Sequence, residues 1–379
     1  MNINSERVAQ IFTALCEISS PSKNERVIAN YLKEIFRELG ATEIYEDNSA
    51  EQTGSNSGNI IVRFAGSCPE RTPLLFACHM DTVLPADNIE VARENDTFTS
   101  AGETVLGGDD KSGIVALIEA FTLIKENDTE HGAIELVFTT CEEIGLLGAK
   151  YLEYDKLQAK MGYALDAGGS DTVVTRAPTA NSIDIIIHGL AAHAGLSPAK
   201  GINALTLAAQ ALAGLQLGRL DADSTANFGL ISGGTAVNIV PDKVCLHGEV
   251  RSQSPAKLDE YTEKICTVFR KTVADWSSPE HKEQRPSIDI EVIKEYDAIV
   301  INEEGPLIQH LLRVTKAMGI NIGITSTGGG SDANVFNGHG IETAILATGM
   351  DLVHTTAERI DLKDMLKLTN LIYEIISQG

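Results

Sequence analysis

Through the first 180 or so residues, apolar positions switch between a helical period and short continuous runs, the texture of alternating helices and strands. Val27, Ile28, Tyr31, Leu32, Ile35 and Phe36 fall on one stripe. That stripe predicts an amphipathic helix stopped by Gly40 and opened by Ser22-x-x-Glu25 as a capping box. Apolar runs at 59–64, 73–78 and 133–139 predict strands. Between the last two, Ile114, Leu117, Ile118, Phe121 and Ile124 mark a helix, and 163–166 adds another short strand. Strands alternating with helices imply an α/β domain with a mostly parallel sheet flanked by helices.

After Arg176-Ala177-Pro178 the texture changes. A β-branched run at 182–188 predicts a strand, and the Ala/Leu-rich stretch 203–217 a helix. Residues 235–251 predict two strands around a Pro241-Asp242 turn. A helix at 258–269 and a strand at 288–293 follow. This order suggests a compact α+β sandwich, residues 178–297, inserted into one discontinuous α/β domain made of 1–177 and 298–379. From about Glu303 the α/β texture returns, with a helix, a Gly-rich loop at 327–334, a strand at 344–348 and a last helix from near Asp361. A chain of 379 residues exceeds what one core usually supports, so two domains are expected.

Charge narrows the partners. The net charge of −23, from 53 acidic and 30 basic residues, repels phosphate backbones and anionic lipid, so neither nucleic acid nor a membrane is expected as a partner. No apolar run approaches the roughly 20 residues that span a bilayer. The start, MNINSERVAQIFTALCEIS, carries Glu6 and Glu17 and no basic leader; it reads as a first helix rather than a signal peptide. Six cysteines without a CxxC pair fit buried free thiols in a reducing, cytoplasmic setting.

Candidate chemistry gathers at predicted strand ends. His79 and Asp81 directly follow a buried run, and residues two apart on a strand share a face. A lone histidine there is more readily a core residue than a ligand; the neighbouring carboxylate shifts the balance toward a ligand, because a metal-bound imidazole needs an acceptor for its other N–H. Gly107-Gly108-Asp109-Asp110 sets two acids in a glycine-flanked turn. That turn suits a carboxylate bridging two cations, with a solvated turn or a helix N-cap as the plainer alternatives. Glu142-Glu143 and Asp166-Ala167-Gly168-Gly169 end two more strands. Adjacent carboxylates point apart, so one can ligate while the other accepts a proton. Neither a P-loop nor a Gly-x-Gly-x-x-Gly after the first strand occurs.

These residues resemble the dinuclear zinc exopeptidases, a family that includes peptidase T, glutamate carboxypeptidase, succinyl-diaminopimelate desuccinylase and aminoacylase. The resemblance rests on HMDTV at 79–83, GGDDKSG at 107–113, CEEIGLLGA at 141–149, DAGG at 166–169 and AAHAG at 191–195, then GGTAVNIVPD at 233–242, GEVRS at 248–252, TGGGSDANVF at 327–336 and TGMDLVHTTAE at 348–358. The DDK form and the EEIGLLGA block look most like peptidase T. The resemblance implies that His79 and Asp166 hold one metal and Glu143 and His354 the other, with Asp109 bridging through a cis Asp109–Asp110 peptide. Asp81 orients His79, and Glu142 is the general base. His193 stabilises the oxyanion. Arg251 and Asn238 contact the substrate, and the loop with Gly329 and Ser331 lines the pocket with N–H groups. It also implies two Zn2+ per subunit, replaceable by Co2+ or Mn2+. The inserted domain would act as a lid and dimerisation domain in a homodimer.

The function expected is a metal-dependent exopeptidase acting on short peptides, an aminotripeptidase. An N-acyl-amino-acid amidohydrolase, dipeptidase or carboxypeptidase on the same scaffold is the alternative. From another class, the alternative is a non-catalytic metal-binding protein. Glu358, four residues after His354, reads either as a supporting residue of the site or as surface.

Overall fold

The apolar run Leu74–His79 lies inside a nine-stranded sheet in a computed structural model that describes residues 3–281 and 283–379. Every residue of Leu74–His79 and of its neighbour Ile134–Thr139 is buried, as expected of strands covered on both faces. Ile134–Thr139, Leu74–His79, Met161–Ala167 and Glu342–Ala347 run parallel, side by side. Ile60–Phe64 and Glu43–Glu46 extend one edge antiparallel. On the other side Thr172–Ala177 is antiparallel to Glu342–Ala347 and carries Ile299–Val300 and Gly323–Ser326. The mostly parallel α/β sheet is thus the one the sequence predicts.

Helices Ser5–Glu17, Arg26–Leu39, Gly108–Asn127 and Leu362–Ser377 bury their apolar stripes in one cluster with the sheet. Phe36 packs against Phe64, Phe121 and Phe138 at ring distances of 5.2 to 6.4 Å; a buried side chain of this size contributes about 1.5–3 kcal/mol. The helix Gly108–Asn127 starts irregularly, because Asp109 and Asp110 are non-helical and the peptide between them is cis. Gly113 brings this helix close to the sheet: a Cβ there would lie 2.8 Å from both Cys78 Sγ and Leu165 Cβ.

The chain divides into a unit of residues 1–177 and 299–379 and a second unit, Pro178–Ala298. Within the second, an antiparallel five-stranded sheet runs in the order Gly218–Arg219, Ser224–Gly233, Lys243–Ser252, Thr179–His188, Ser287–Tyr296. Helices Ala204–Ala213 and Pro255–Ala274 share its core, with Leu207, Ile265 and Phe269 against Ile183, Ile185 and Leu246.

Three details differ from the sequence expectation. The strand preceding Lys243–Ser252 is Ser224–Gly233, not one beginning near 235. Gly234 has φ +77°, and Pro241 lacks the N–H a ladder needs, so 234–242 is a loop. The helix expected at 203–217 ends at Ala213, where Gly214 caps it. The capping box is also absent: Glu25 makes no side-chain cap bond to the helix it precedes. Among the described residues no helix is long and apolar enough to cross a membrane.

Candidate active site

Five elements of the first unit deliver acids and histidines to one cavity of about 360 Å3. His79 ends a strand, Glu142 and Glu143 follow another, and Asp166 closes a third. Asp109 comes from the irregular turn before its helix. His354 comes from the loop between Glu342–Ala347 and Arg359–Asp361. Parallel strands put all their C-terminal ends on one edge, which is where open α/β sheets bind ligands.

The spacing inside the cluster is tight. Asp109 Oδ1 lies 3.0 Å from His79 Nε2, and Asp109 Oδ2 lies 3.2 Å from His354 Nε2. His79 Nε2 is 3.9 Å from Asp166 Oδ1, and His354 Nε2 is 3.1 Å from Glu143 Oε2. Ligand atoms of His79, Asp109 and Glu143 all fall within 4.8 Å of one another. Glu143 Oε1 is buried with no hydrogen-bond partner, a cost of about 1–3 kcal/mol for a group with nothing to bind. Imidazole nitrogens and carboxylate oxygens are donors suited to zinc, so both the donor set and the orphaned oxygen fit cations held here.

Charge tells the same story. Burial, reinforced by Asp166, Asp332 and Glu143, pushes the Glu142 carboxyl well above the usual carboxylate range, although His79 opposes it. Burial and then Asp109 do the same to Asp166. Burial alone would lower His79, but hydrogen bonding to Asp109 and Asp81 holds its imidazole well above the usual value. Hydrogen bonds that His354 donates to Asp109 and Glu143 raise its imidazole to about 10. Against burial, the two histidines keep Asp109 low.

Residues 75–378 match the Peptidase family M20/M25/M40. The chain belongs to this peptidase family. It is 36% identical over 378 residues to the uncharacterized protein YqjE of Bacillus subtilis, covering 100% of this chain and 99% of that one. It superposes on the aminopeptidase PepT of Bacillus cereus with a TM-score of 0.89, 37% identity and 99% of each chain covered. A tripeptidase of Staphylococcus aureus gives a TM-score of 0.91 at 34% identity, covering 99% of this chain and 98% of that one.

Around the M20 cluster lies a layer of carboxylates. His79 Nδ1 is 2.8 Å from the Asp81 carbonyl and 3.6 Å from Asp81 Oδ1. The Asp81 carboxylate accepts instead from the Glu142 and Glu143 N–H groups at 2.9 and 3.2 Å, and from Ser22 Oγ at 2.6 Å. Glu358, 2% exposed, accepts from the N–H groups of Leu106, Gly107 and Asp109 at 2.8, 2.8 and 2.9 Å. It therefore ties the His354 loop to the Asp109 turn. Asp332 accepts from Thr139 Oγ1 while its Oδ1 stays unpartnered, and burial raises its carboxyl to about 6. Of these, Ser22 has the local pattern of a helix cap but serves Asp81 instead, and Asp332 has no local signal of its own inside TGGGSDANVF. Spacing from His354 was the one local signal for Glu358.

The remaining candidates divide. Gly329 and Ser331 line the cavity, but their N–H groups are spent within the loop, on Thr327 Oγ1 at 3.2 Å and Asn334 Oδ1 at 3.0 Å. Ser331 also caps the helix Asp332–Gly338. His193, Asn238 and Arg251 belong to the second unit. Exposed His193 accepts at Nδ1 from the Gly195 and Leu196 N–H groups, both at 3.1 Å. Half-buried Arg251 forks onto Glu249 at 3.1 and 2.9 Å. Asn238 is exposed, and its carbonyl accepts from the Ala194 N–H.

Proposed function

We propose that this M20 chain is a two-metal exopeptidase, an aminotripeptidase that releases the N-terminal residue of short peptides in the cytoplasm. The observation that carries the reading is the disposition of Asp109, one oxygen toward His79 and the other toward His354, as a carboxylate shared by two cations requires. His79 and Asp166 would hold one ion, Glu143 and His354 the other, and Asp109 both. Zn2+ suits the donors, with Co2+ or Mn2+ as substitutes. Bound there, the ions supply a water of lowered pKa and polarise the scissile carbonyl.

The chain's own groups do the rest. Glu142 lies next to a ligand in sequence and lines the same cavity. It takes the proton from the attacking water and passes it to the leaving amine nitrogen. Asp81 fixes the backbone of Glu142 and Glu143 and steadies the His79 ring. Because His193 Nδ1 accepts two N–H groups, its hydrogen sits on Nε2, free to donate to a developing oxyanion. Arg251 and Asn238 contact the substrate backbone or carboxylate, while Val174, Ile345, Met350 and Val353 give the cavity an apolar wall. The second unit serves as lid and as the surface through which a homodimer forms.

Two measurements test this. Glu142→Ala is expected to abolish turnover while metal per chain stays at the parent value; loss of metal with activity would make Glu142 a ligand instead. Tripeptides, dipeptides and N-acetyl amino acids incubated with the zinc-loaded protein are expected to show loss of N-terminal residues from tripeptides. Deacylation of the N-acetyl substrates would replace the peptidase reading with the amidohydrolase one.

A further inference from the structure

Where the strand Ile134–Thr139 ends, four successive N–H groups leave the sheet ladder, and each meets a buried side-chain oxygen. Thr140 N donates to Asn59 Oδ1 at 3.0 Å and Cys141 N to Glu25 Oε1 at 3.0 Å. Glu142 N and Glu143 N donate to Asp81 at 2.9 and 3.2 Å. The carbonyls of Thr140, Cys141 and Glu142 accept from Gly148, Leu147 and Leu146 N–H groups at 2.9, 3.0 and 2.8 Å, so the turn is held through its carbonyls by the following segment and through its N–H groups by those side-chain oxygens. The most demanding point is Cys141, which is fully buried and has φ +54°, a left-handed conformation that a side chain bears only when its surroundings enforce it.

Glu25 holds the N–H of that residue. It is completely buried, and it contributes no cap to its own helix. Oε1 accepts from Lys23 N at 2.9 Å as well as from Cys141 N, with Cys141 Sγ 3.4 Å away. Oε2 accepts from Ser55 Oγ at 2.5 Å, whose oxygen in turn receives the Ser57 N–H at 3.0 Å. The carboxylate is thus anchored on both oxygens and presents one of them to the residue before Glu142. Its near neighbour Ser22 braces Asp81 Oδ2, so segment 22–25 supports this turn at two places.

We propose that Glu25 is a positioning residue: by holding Cys141 in its left-handed conformation it sets the direction of the Glu142 carboxylate, and it does so by length and geometry rather than by charge. The inference rests on Glu142 acting as the base, so the two must fail separately. If Glu142→Ala remains active, that reading falls; if Glu142→Ala is dead and Glu25 variants behave as the parent, the positioning role alone falls.

Glu25→Gln keeps the length and loses the charge. Its Oε1 can still accept from Lys23 and Cys141, and its Nε2 can donate to Ser55 Oγ. Glu25→Asp keeps the charge and withdraws it by one methylene. Displacements of about 1 Å at a catalytic group can cost on the order of a hundredfold in rate. Glu25→Asp is therefore expected to lower kcat at least tenfold on a tripeptide, with KM within threefold and metal per chain unchanged by elemental analysis. Glu25→Gln is expected to stay within fivefold of the parent kcat. The Co2+-loaded absorption spectrum, which reads the ligands without turnover, is expected to match the parent in Glu25→Gln. An Asp variant more active than the Gln variant would overturn the proposal, because charge would then be the operative property. Equal activity of both variants and the parent, or loss of metal in Glu25→Asp, would overturn it as well.

Discussion

The two histidines of the site stand on very different ground. His79 is 3% exposed at the end of a strand buried throughout its length, with Nδ1 fixed by a carbonyl two residues on. The His354 side chain is 52% exposed and sits in a loop at φ +62°. That loop is secured at Glu358, by the carboxylate that also gathers the Leu106, Gly107 and Asp109 amides. One flank is made by the sheet and exists before any ligand arrives; the other is made by a clamp and remains open to solvent. Asp109 touches both, so the cluster joins a buried half to an exposed one.

Removing the shared group should have the largest effect. Asp109→Ala is expected to lose at least about a hundredfold in turnover and to retain less metal than the parent on elemental analysis; full occupancy would mean that nothing bridges the flanks. Next comes the clamp. Glu358→Gln puts an amide N–H where a carboxylate oxygen accepted two backbone donors or one. It should weaken metal binding by about ten- to a hundredfold in a chelator competition, through the His354 flank. A uniform loss at both ions would dissolve the distinction. The smallest effect is on stability of the metal-free protein in urea. His79→Ala strands a buried Asp109 oxygen and should cost about 1–3 kcal/mol, whereas His354→Ala strands buried oxygens of both Asp109 and Glu143 and should cost more. Equal costs would show the two flanks to be alike.

The same contrast governs what could be read from the sequence. His79, Glu142, Glu143 and Asp166 were legible because each ends or follows an apolar run, and a parallel sheet collects such ends on one edge. His354 has no such run before it; its motif alone pointed to it. The supporting oxygens were hidden by distance along the chain. Glu25 meets Cys141 across 116 positions, and Glu358 meets Leu106 across 252. Ser22-x-x-Glu25 satisfied a local rule and was assigned a local role, which tertiary partners then overrode. In the second unit, Thr235, Val237 and Ile239 alternate as a strand would, yet Val237 is fully exposed. Periodicity reports which faces could pair, not whether a neighbouring strand is there to pair with.

The Glu358 clamp also bears on how such a protein can be altered or recombined. Segments 351–358 and 106–109 are far apart along the chain, Leu106 and Glu358 being 252 positions from one another, but three hydrogen bonds make them a matched set. A loop graft that carries His354 into this scaffold without its own glutamate, or a turn graft that shifts the three amides, would separate two halves of one device. Exchange between relatives should therefore succeed when both segments travel together and fail when either travels alone.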